Sequence, residues 1–126
     1  MKNTNHTKNY FEGISKISKK IDQKKIEKLA KALSKIKKNN GRLFFLGVGG
    51  SAGNASHAVN DFRKLCEIES YTPTDNVSEF SARINDDGWN NSFSEWLRVS
   101  KLNKKDGIFI LSVGGGSLLK KVSLNL

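Results

Sequence analysis

The sequence has little of what marks a secreted or membrane protein. It contains a single cysteine, Cys66, so no internal disulfide can form, and this is compatible with a reducing cytoplasm. Its longest apolar runs, 43–46 and 108–111, are far shorter than the ~20 residues that a membrane-spanning helix needs. No apolar stretch follows Met1, so no secretory signal is expected. These absences predict a cytoplasmic chain whose 126 residues form a single small core.

The excess positive charge is confined to one end of the chain. Residues 1–42 hold 13 Lys and Arg against 3 Asp and Glu, whereas residues 43–126 hold 9 of each kind. A basic helical surface can bind nucleic acid. Solvent-facing lysines give the same composition, however, and no DNA-binding motif or mixture of aromatic and basic residues accompanies them. We therefore expect neither a nucleic acid nor a membrane as partner.

Two amphipathic patterns fill the basic segment, residues 1–42. Apolar residues recur every three to four positions over 10–21 and again over 26–36, which predicts two helices or one bent helix. Asp22 is a candidate N-cap for the second pattern, and residues 39–41 offer C-cap chemistry. The apolar faces must be covered by the rest of the domain or by another copy, so we expect a homo-oligomer, either a dimer or a tetramer.

Two short apolar runs are each followed by a glycine-rich loop, at 47–51 and at 112–117. The order strand, glycine loop, helix start therefore occurs twice, which indicates a parallel sheet with helices on both faces. Glycines let an anion approach the backbone, and the first turn of a helix leaves N–H groups unpaired. Ligands of such sheets bind beyond the carboxyl ends of the strands. We expect both loops to face one phosphate-bearing ligand.

The remaining elements follow from the apolar periodicity and the turn residues. The sequence predicts strands over 42–46, 66–71 and 108–111, and helices over 51–64, 77–84, 93–101 and from 118 onwards. The last strand is expected to be buried because it is short, apolar and β-branched. Asp75 or Asn76 is available to cap the helix that follows, and residues 85–88 form a turn.

The first loop, taken alone, admits a second interpretation. Residues 47–52 satisfy the dinucleotide fingerprint G-x-G-x-x-A, and Glu67 lies about where the ribose-binding acid would be. Against this, two helices precede the strand, and Ser51 places a hydroxyl at the helix start. A dinucleotide fold also has no need of the second glycine loop. Phosphate binding is therefore favoured, and nicotinamide binding stays as an alternative.

Several motifs occur together in a fixed order. They are Gly49–Ala52, His57 in the same helix, Thr74–Asn76, Asn85–Asp86 and Leu111–Ser117. In this order they resemble the sugar isomerase (SIS) domain, and within it the phosphoheptose (sedoheptulose 7-phosphate) isomerases. The resemblance implies an α/β, flavodoxin-like parallel sheet flanked by helices, and a homotetramer. It also implies interconversion of a ketose and an aldose heptose 7-phosphate through an enediol, in the synthesis of lipopolysaccharide or capsule precursors.

The resemblance assigns roles to residues at matching positions. The substrate-binding set comes from both loops and one polar pair: Val48, Gly49, Gly50, Ser51, Asn85, Asp86, Ser112, Val113, Gly114, Gly115 and Ser117. Asp61 occupies the place of a glutamate that is both catalytic base and metal ligand, and His57 matches a zinc ligand of some members. These two are the candidate catalytic residues. Zinc is the one cofactor implied, although two ligands do not close a zinc site.

Departures from the family pattern leave other interpretations open. Val48 replaces an asparagine, Asp61 is one methylene shorter than glutamate, and 113–114 replaces a hydroxyl-bearing stretch. Family members also continue with further strands, so residues 43–126 are expected to be a partial domain, truncated at its C-terminus and preceded by the helices of residues 1–42. A sugar-phosphate-binding module or fragment without catalysis is the alternative to an isomerase. His57 and Asp61 also fit an ordinary pair on a helix surface.

Overall fold

A computed structural model describes residues 5–126, and these form five α-helices and three β-strands. The helices are α1 (His6–Lys20), α2 (Gln23–Lys38), α3 (Gly50–Lys64), α4 (Val77–Asp87) and α5 (Ser92–Val99). The strands are β1 (Leu43–Gly47), β2 (Ser70–Tyr71) and β3 (Gly107–Leu111). All three strands are parallel and lie in the order β2-β1-β3. The prediction of an α/β fold with a parallel sheet is therefore confirmed.

The chain divides into two compact units, of which Leu33–Leu126 is the second. In the first unit, the Asp22 carboxylate accepts the backbone N–H of Lys24 at 3.0 Å and of Lys25 at 3.3 Å, which confirms the predicted N-cap. The large apolar side chains of this unit are exposed: Tyr10, Phe11, Ile14, Ile17, Ile21, Ile26 and Leu29. No helix within residues 5–126 has the length and apolar character needed to cross a membrane.

The core of the second unit lies on both faces of β1, which is buried along its whole length. Successive side chains of a strand point to opposite faces. Leu43 and Phe45 pack in one cluster with Ala55 of α3. Phe44 lies on the other face, where its ring centroid is 5.6 Å from that of Trp96 in α5. Helices therefore cover both faces of β1, as the sequence predicts.

Strand β3 differs from its prediction, because one of its faces is half-buried and the other is exposed. Phe109 packs on the α3 side, with its ring centroid 5.4 Å from that of Phe45. Ile108 and Ile110 point the other way and are 45% and 49% exposed. Within the described residues, β3 pairs with β1 alone and so forms an edge of the sheet. The prediction of a buried strand was wrong, because β-branched residues indicate a strand but not how many of its faces are covered.

An ion pair joins the starts of β1 and β3. Arg42 Nη2 donates to Asp106 Oδ2 at 2.8 Å, and the Arg42 backbone N–H donates to Asp106 Oδ1 at 2.9 Å. Burial of this carboxylate acts to raise the pKa of Asp106. Hydrogen bonds from Arg42 and Asn103, together with the guanidinium charge, outweigh burial and lower the pKa of Asp106 below its ordinary value. The hydrogen bond to Asp106 in turn raises the pKa of Arg42.

Two glycines allow neighbouring segments of the chain to approach closely near the starts of β1 and β3. A Cβ on Gly41 would overlap the carbonyl of Lys105, and a Cβ on Gly107 would lie 2.5 Å from the Ile36 side chain. Helix α2 ends at Lys38, just before the predicted C-cap segment, and Asn40 of that segment has a left-handed φ of 50°. These contacts fix the turn from α2 into β1 against the loop that leads into β3.

Two elements in the middle of the chain have other bounds than predicted. The strand predicted over 66–71 is reduced to Ser70–Tyr71, because Glu67 has a left-handed φ of 53°, which does not fit extended backbone. Helix α4 continues through the predicted turn at 85–87 and ends before Gly88, which has a φ of 79°. Gly88 therefore ends the helix, whereas the polar residues 85–87, which were predicted to form the turn, are still helical.

The helix predicted from residue 118 does not form. Ser117 and Val122 instead pair in antiparallel fashion, with N–H to carbonyl distances of 2.9 and 3.0 Å in the two directions. Lys121 and Ser123 have left-handed φ angles of 51° and 53°, which a helix does not accommodate. We call residues 117–122 the C-terminal hairpin. The order strand, glycine loop, helix thus occurs once in the structure and not twice.

Candidate functional site

The two glycine loops line one cavity beyond the carboxyl ends of β1 and β3. The cavity has a volume of about 450 Å³ and is bordered by Val48 and Ser51 of the first loop. The second loop contributes Ser112, Gly114 and Ser117, among others. The loops share this cavity because β1 and β3 are adjacent and parallel, so both strands end at the same edge of the sheet.

The first loop is shaped by the turn from β1 into α3. A Cβ on Gly47 would lie 2.5 Å from the Ser51 carbonyl oxygen, so only glycine allows the helix to start this close to the strand. Gly49 has a left-handed φ of 59° and precedes the first helical residue. Ser51 is thereby placed in the first turn of α3, at the cavity.

The second loop presents two hydroxyl groups that still have a proton to donate. Ser112 Oγ accepts the backbone N–H of Gly115 at 3.0 Å, and Ser117 Oγ accepts that of Lys120 at 3.2 Å. Each oxygen acts as an acceptor in these bonds, so its own O–H stays available. Neither hydroxyl donates to another group within residues 5–126. The loop can therefore offer two O–H donors to a ligand in the cavity.

The cavity carries positive charge and no side-chain carboxylate. Its lining includes four serines, and Lys120 is its one charged side chain among the described residues. Six members of this lining are outside the predicted substrate-binding set: Leu111, Gly116, Lys120, Val122, Ser123 and Leu126. Lys120 could have been noticed in the sequence, because it is a basic residue three positions after Ser117, the last serine of the loop. Leu111 is the last residue of β3, whereas Val122, Ser123 and Leu126 lie at the end of the C-terminal hairpin or after it, and the sequence did not predict the hairpin.

The candidate catalytic pair lies elsewhere on α3. His57 Nε2 is 3.3 Å from Asp61 Oδ2, and the two side chains are 78% and 44% exposed. Neither residue lines the cavity between the glycine loops. Ten residues separate Ser51 from Asp61, which is about 15 Å along a helix axis. The structure therefore brings the two glycine loops together but does not bring the carboxylate to them.

The same pair was predicted to bind zinc. A structural zinc site takes four ligands, and a catalytic one takes three protein ligands with an open position. Within residues 5–126 there is no group of three or more His, Cys, Asp or Glu side chains that could hold a metal ion. His57 and Asp61 supply two donors, which do not make either kind of site, so we assign no reaction step to a metal.

The predicted polar pair at the end of α4 also lies outside the cavity. Asn85 Nδ2 donates to Asp86 Oδ1 at 2.8 Å, and both residues are exposed. Asn76 is the cap of α4, since its side-chain oxygen accepts the N–H of Glu79 at 3.2 Å, which confirms the capping prediction.

The position of Glu67 argues against the dinucleotide interpretation. Glu67 precedes β2, and its carboxylate pairs with Lys37 at 3.2 Å. Because β2 runs parallel to β1, residues before β2 lie at the sheet edge opposite to the glycine loops. The ribose-binding acid of a dinucleotide fold lies at the same edge as its glycine loop, so Glu67 is not placed for that role.

Comparison with known proteins identifies relatives in sequence and in fold. A sequence model described as the SIS domain matches residues 9–119. A solved structure described as phosphoheptose isomerase GmhA from Neisseria gonorrhoeae is similar with a TM-score of 0.74 at 22% identity. The match covers 85% of this chain and 56% of that one, so this chain spans little more than half the length of the solved structure. No curated protein matches the sequence significantly.

Proposed function

The chain belongs to the SIS domain family, and from that premise we propose that it binds the phosphate group of a sugar phosphate between its two glycine loops. The observation that carries the proposal is the shared cavity, where Ser112 and Ser117 have O–H protons to donate and no side-chain carboxylate repels an anion. Glycine loops of this kind expose backbone N–H groups that suit phosphate oxygens.

We further propose an isomerase activity on heptose 7-phosphates of the sedoheptulose class. A base removes a proton from C1 of the ketose, an enediol forms, and the return of a proton to C2 gives the aldose. Asp61 is the proposed base, and His57 beside it is the proposed partner in proton transfer. Because neither side chain lines the cavity of its own chain, we propose that another copy of the chain brings its carboxylate to the bound sugar.

The proposed reaction therefore goes together with self-association. The exposed apolar side chains of α1 and of the first half of α2 support a homo-oligomer, since contiguous apolar surface of this kind marks a contact with another protein surface. A dimer is the smallest assembly that provides another copy, and a tetramer is the size implied by the resemblance to the phosphoheptose isomerases.

A sugar-phosphate-binding protein without catalysis is the second candidate. The separation between the cavity and the His57–Asp61 pair favours it. Zinc binding and a cytoplasmic location stay predictions, the second supported by Cys66, which is a free and exposed thiol.

Thermal unfolding in the presence of ligands tests the binding site. A ligand that binds only the folded state raises the melting temperature, so we expect a rise with sedoheptulose 7-phosphate and none with NADH. The double variant Ser112→Ala, Ser117→Ala should lose the rise. Ser81→Ala is the matched control, because its hydroxyl lies on α4 and donates to a carbonyl of its own helix. A rise with NADH alone, or an unchanged rise in the double variant, would contradict the proposal.

Turnover separates the enzyme from the binding protein. Asp61→Asn should abolish the conversion of sedoheptulose 7-phosphate and leave its binding unchanged, because the amide cannot accept the proton. Glu67→Gln, which alters another exposed carboxylate outside the cavity, should keep the activity. Binding without turnover by the unaltered protein would favour the non-catalytic candidate, and full turnover by Asp61→Asn would show that another group is the base.

A further inference from the structure

The charged side chain at the cavity points to a further binding residue. We propose that the Lys120 ammonium binds the phosphate of the ligand and supplies the charge that selects a phosphomonoester dianion. This inference rests on the proposed function, since it concerns the same cavity. It adds a residue that neither the motifs of the chain nor its resemblance to the phosphoheptose isomerases assigns.

The C-terminal hairpin places Lys120 at the cavity. Reciprocal backbone hydrogen bonds between Ser117 and Val122 close the hairpin, and Lys120 lies in its connecting turn. The backbone N–H of Lys120 donates to Ser117 Oγ at 3.2 Å. The lysine is therefore fixed, through its own backbone, to one of the two serines whose O–H protons face no acceptor in residues 5–126.

The ammonium group of Lys120 is free to bind a ligand. No Asp or Glu in residues 5–126 lies within 4.0 Å of it, whereas the ion pairs that do form engage other cations. Lys120 is exposed, and its flexible four-carbon stem lets the charge adjust to a ligand in the cavity. A lysine ammonium binds phosphate as a point charge with three donors.

The composition of the two loops explains why a cation is needed. A phosphomonoester carries about −1.5 to −2 charges at pH 7. Val48, Val113 and Gly114 border the cavity and have no side-chain donor. The remaining donors of the two loops are serine hydroxyls and backbone N–H groups, which are uncharged. Lys120 is the lining residue that can compensate the charge. The site should therefore prefer a phosphorylated sugar strongly over the same sugar without phosphate.

Isothermal titration with matched lysine variants tests this assignment. Lys120→Gln removes the charge and keeps the length of the side chain, whereas Lys121→Gln makes the same change at the next residue, which is exposed and does not line the cavity. The ligands are sedoheptulose 7-phosphate, inorganic phosphate and unphosphorylated sedoheptulose. We expect Lys120→Gln to weaken binding of both phosphates by roughly tenfold to hundredfold, the range for a charge-assisted hydrogen bond. Lys121→Gln should bind like the unaltered protein, and Lys120→Arg should restore most of the affinity.

Further outcomes separate this inference from the proposed function. Equal binding by Lys120→Gln and the unaltered protein would overturn the role of Lys120 and leave the sugar-phosphate site standing. Equal losses in Lys120→Gln and Lys121→Gln would also overturn it, because the effect would then belong to the general positive charge of the chain. If the unaltered protein binds none of the phosphates, both the proposed function and the role of Lys120 are wrong.

Discussion

Arg42 and Asp106 connect three segments of the chain at the amino-terminal ends of the strands, opposite to the cavity. Asp106 has the most buried side chain of the ion pairs in residues 5–126, at 1% exposure. Arg42 also donates to the carbonyl oxygens of Ser100 and Lys101, each at 3.0 Å. The pair thus anchors the end of α5 as well as the starts of β1 and β3. Removing the Asp106 carboxylate would leave the Arg42 guanidinium, whose side chain is 23% exposed, without its counter-ion, which is more damaging than losing a fully exposed pair.

Asp106→Asn should lower the free energy of unfolding at pH 7 by about 2 kcal/mol, within the range for lost hydrogen bonds to a charged group. Urea unfolding followed by circular dichroism measures the change. Glu67→Gln is the control, since it breaks the exposed pair with Lys37 and should change the free energy of unfolding by less than about 1 kcal/mol. Similar effects of the two substitutions would show that the buried pair contributes no more than a surface one.

The same pair predicts how stability depends on pH. Because the pKa of Asp106 is lowered in the folded state, the folded chain holds its proton less tightly than the unfolded chain does. The stabilisation is complete above the unfolded pKa of about 3.9 and is lost as the pH falls below it. The difference in stability between the unaltered protein and Asp106→Asn should therefore shrink from pH 5 to pH 3. A constant difference over that interval would mean that Asp106 titrates normally.

Strand β3 is the element whose two sides differ most. The N–H of Gly107 donates to the Arg42 carbonyl at 2.8 Å, on the side of β1. Alternate residues of a strand in a parallel ladder bond to the same neighbour, so the N–H groups of Phe109 and Leu111 also point towards β1. Those of Ile108 and Ile110 point to the free edge, where no strand of the described chain pairs with them.

Amide hydrogen exchange should alternate along β3. The N–H groups of Phe109 and Leu111 should exchange slowly and those of Ile108 and Ile110 rapidly, because exchange follows the opening of hydrogen bonds. Residue-resolved NMR measures the rates, with the N–H groups of Leu43 and Phe44, which have paired strands on both sides, as the slow reference. Uniform protection along β3 would contradict a free edge and would show that a further strand or another chain adds there.

The sequence predicts most elements of this fold, and the exceptions have physical causes. All five helices and the strands β1 and β3 follow from apolar periodicity and from glycine or Asx residues at their ends. The C-terminal hairpin was not predicted, because left-handed φ angles at Lys121 and Ser123 are rare for residues of those types. The short β2 has the same cause at Glu67. Local patterns thus identify elements well and fail where the backbone takes a conformation that its residues disfavour.

At the scale of the whole molecule, the main feature is the number of large apolar side chains that the first unit exposes. The side chains of Phe11, Ile14 and Ile17 are 63%, 45% and 66% exposed on α1. Apolar residues at this spacing form one stripe along a helix. Burial of apolar surface favours association by about 25 cal/mol per Å² before the losses of freedom on association are subtracted. The stripe therefore fits contact with another copy of the chain.

The variant Ile14→Glu, Ile17→Glu should break the proposed oligomer into monomers. Size-exclusion chromatography with light scattering measures the mass directly. Lys16→Glu is the control, because it lies on the same helix and changes the net charge by the same two units while leaving the apolar stripe intact. A monomeric unaltered protein, or an oligomer that survives the double substitution, would show that this stripe is not the contact between copies.

The candidate site was predicted in part. Both glycine loops and their serines were identified because glycine clusters after strands have few structural uses apart from ligand binding. The sequence could not show that Asp61 stands apart from the cavity, because separation along a helix and distance from a ligand are set by the assembled fold. It also could not show Lys120, which reaches the cavity through non-local pairing of residues 117 and 122.

The single exposed cysteine limits how copies of this chain can be joined covalently. Cys66 is the only thiol of the sequence, and it lies in the connection between α3 and β2, outside the lining of the cavity. Oxidation can therefore link two chains and no more, so any larger species on a non-reducing gel has another origin. The same thiol accepts one spin label per chain, which allows distances between copies to be measured without engineering the protein.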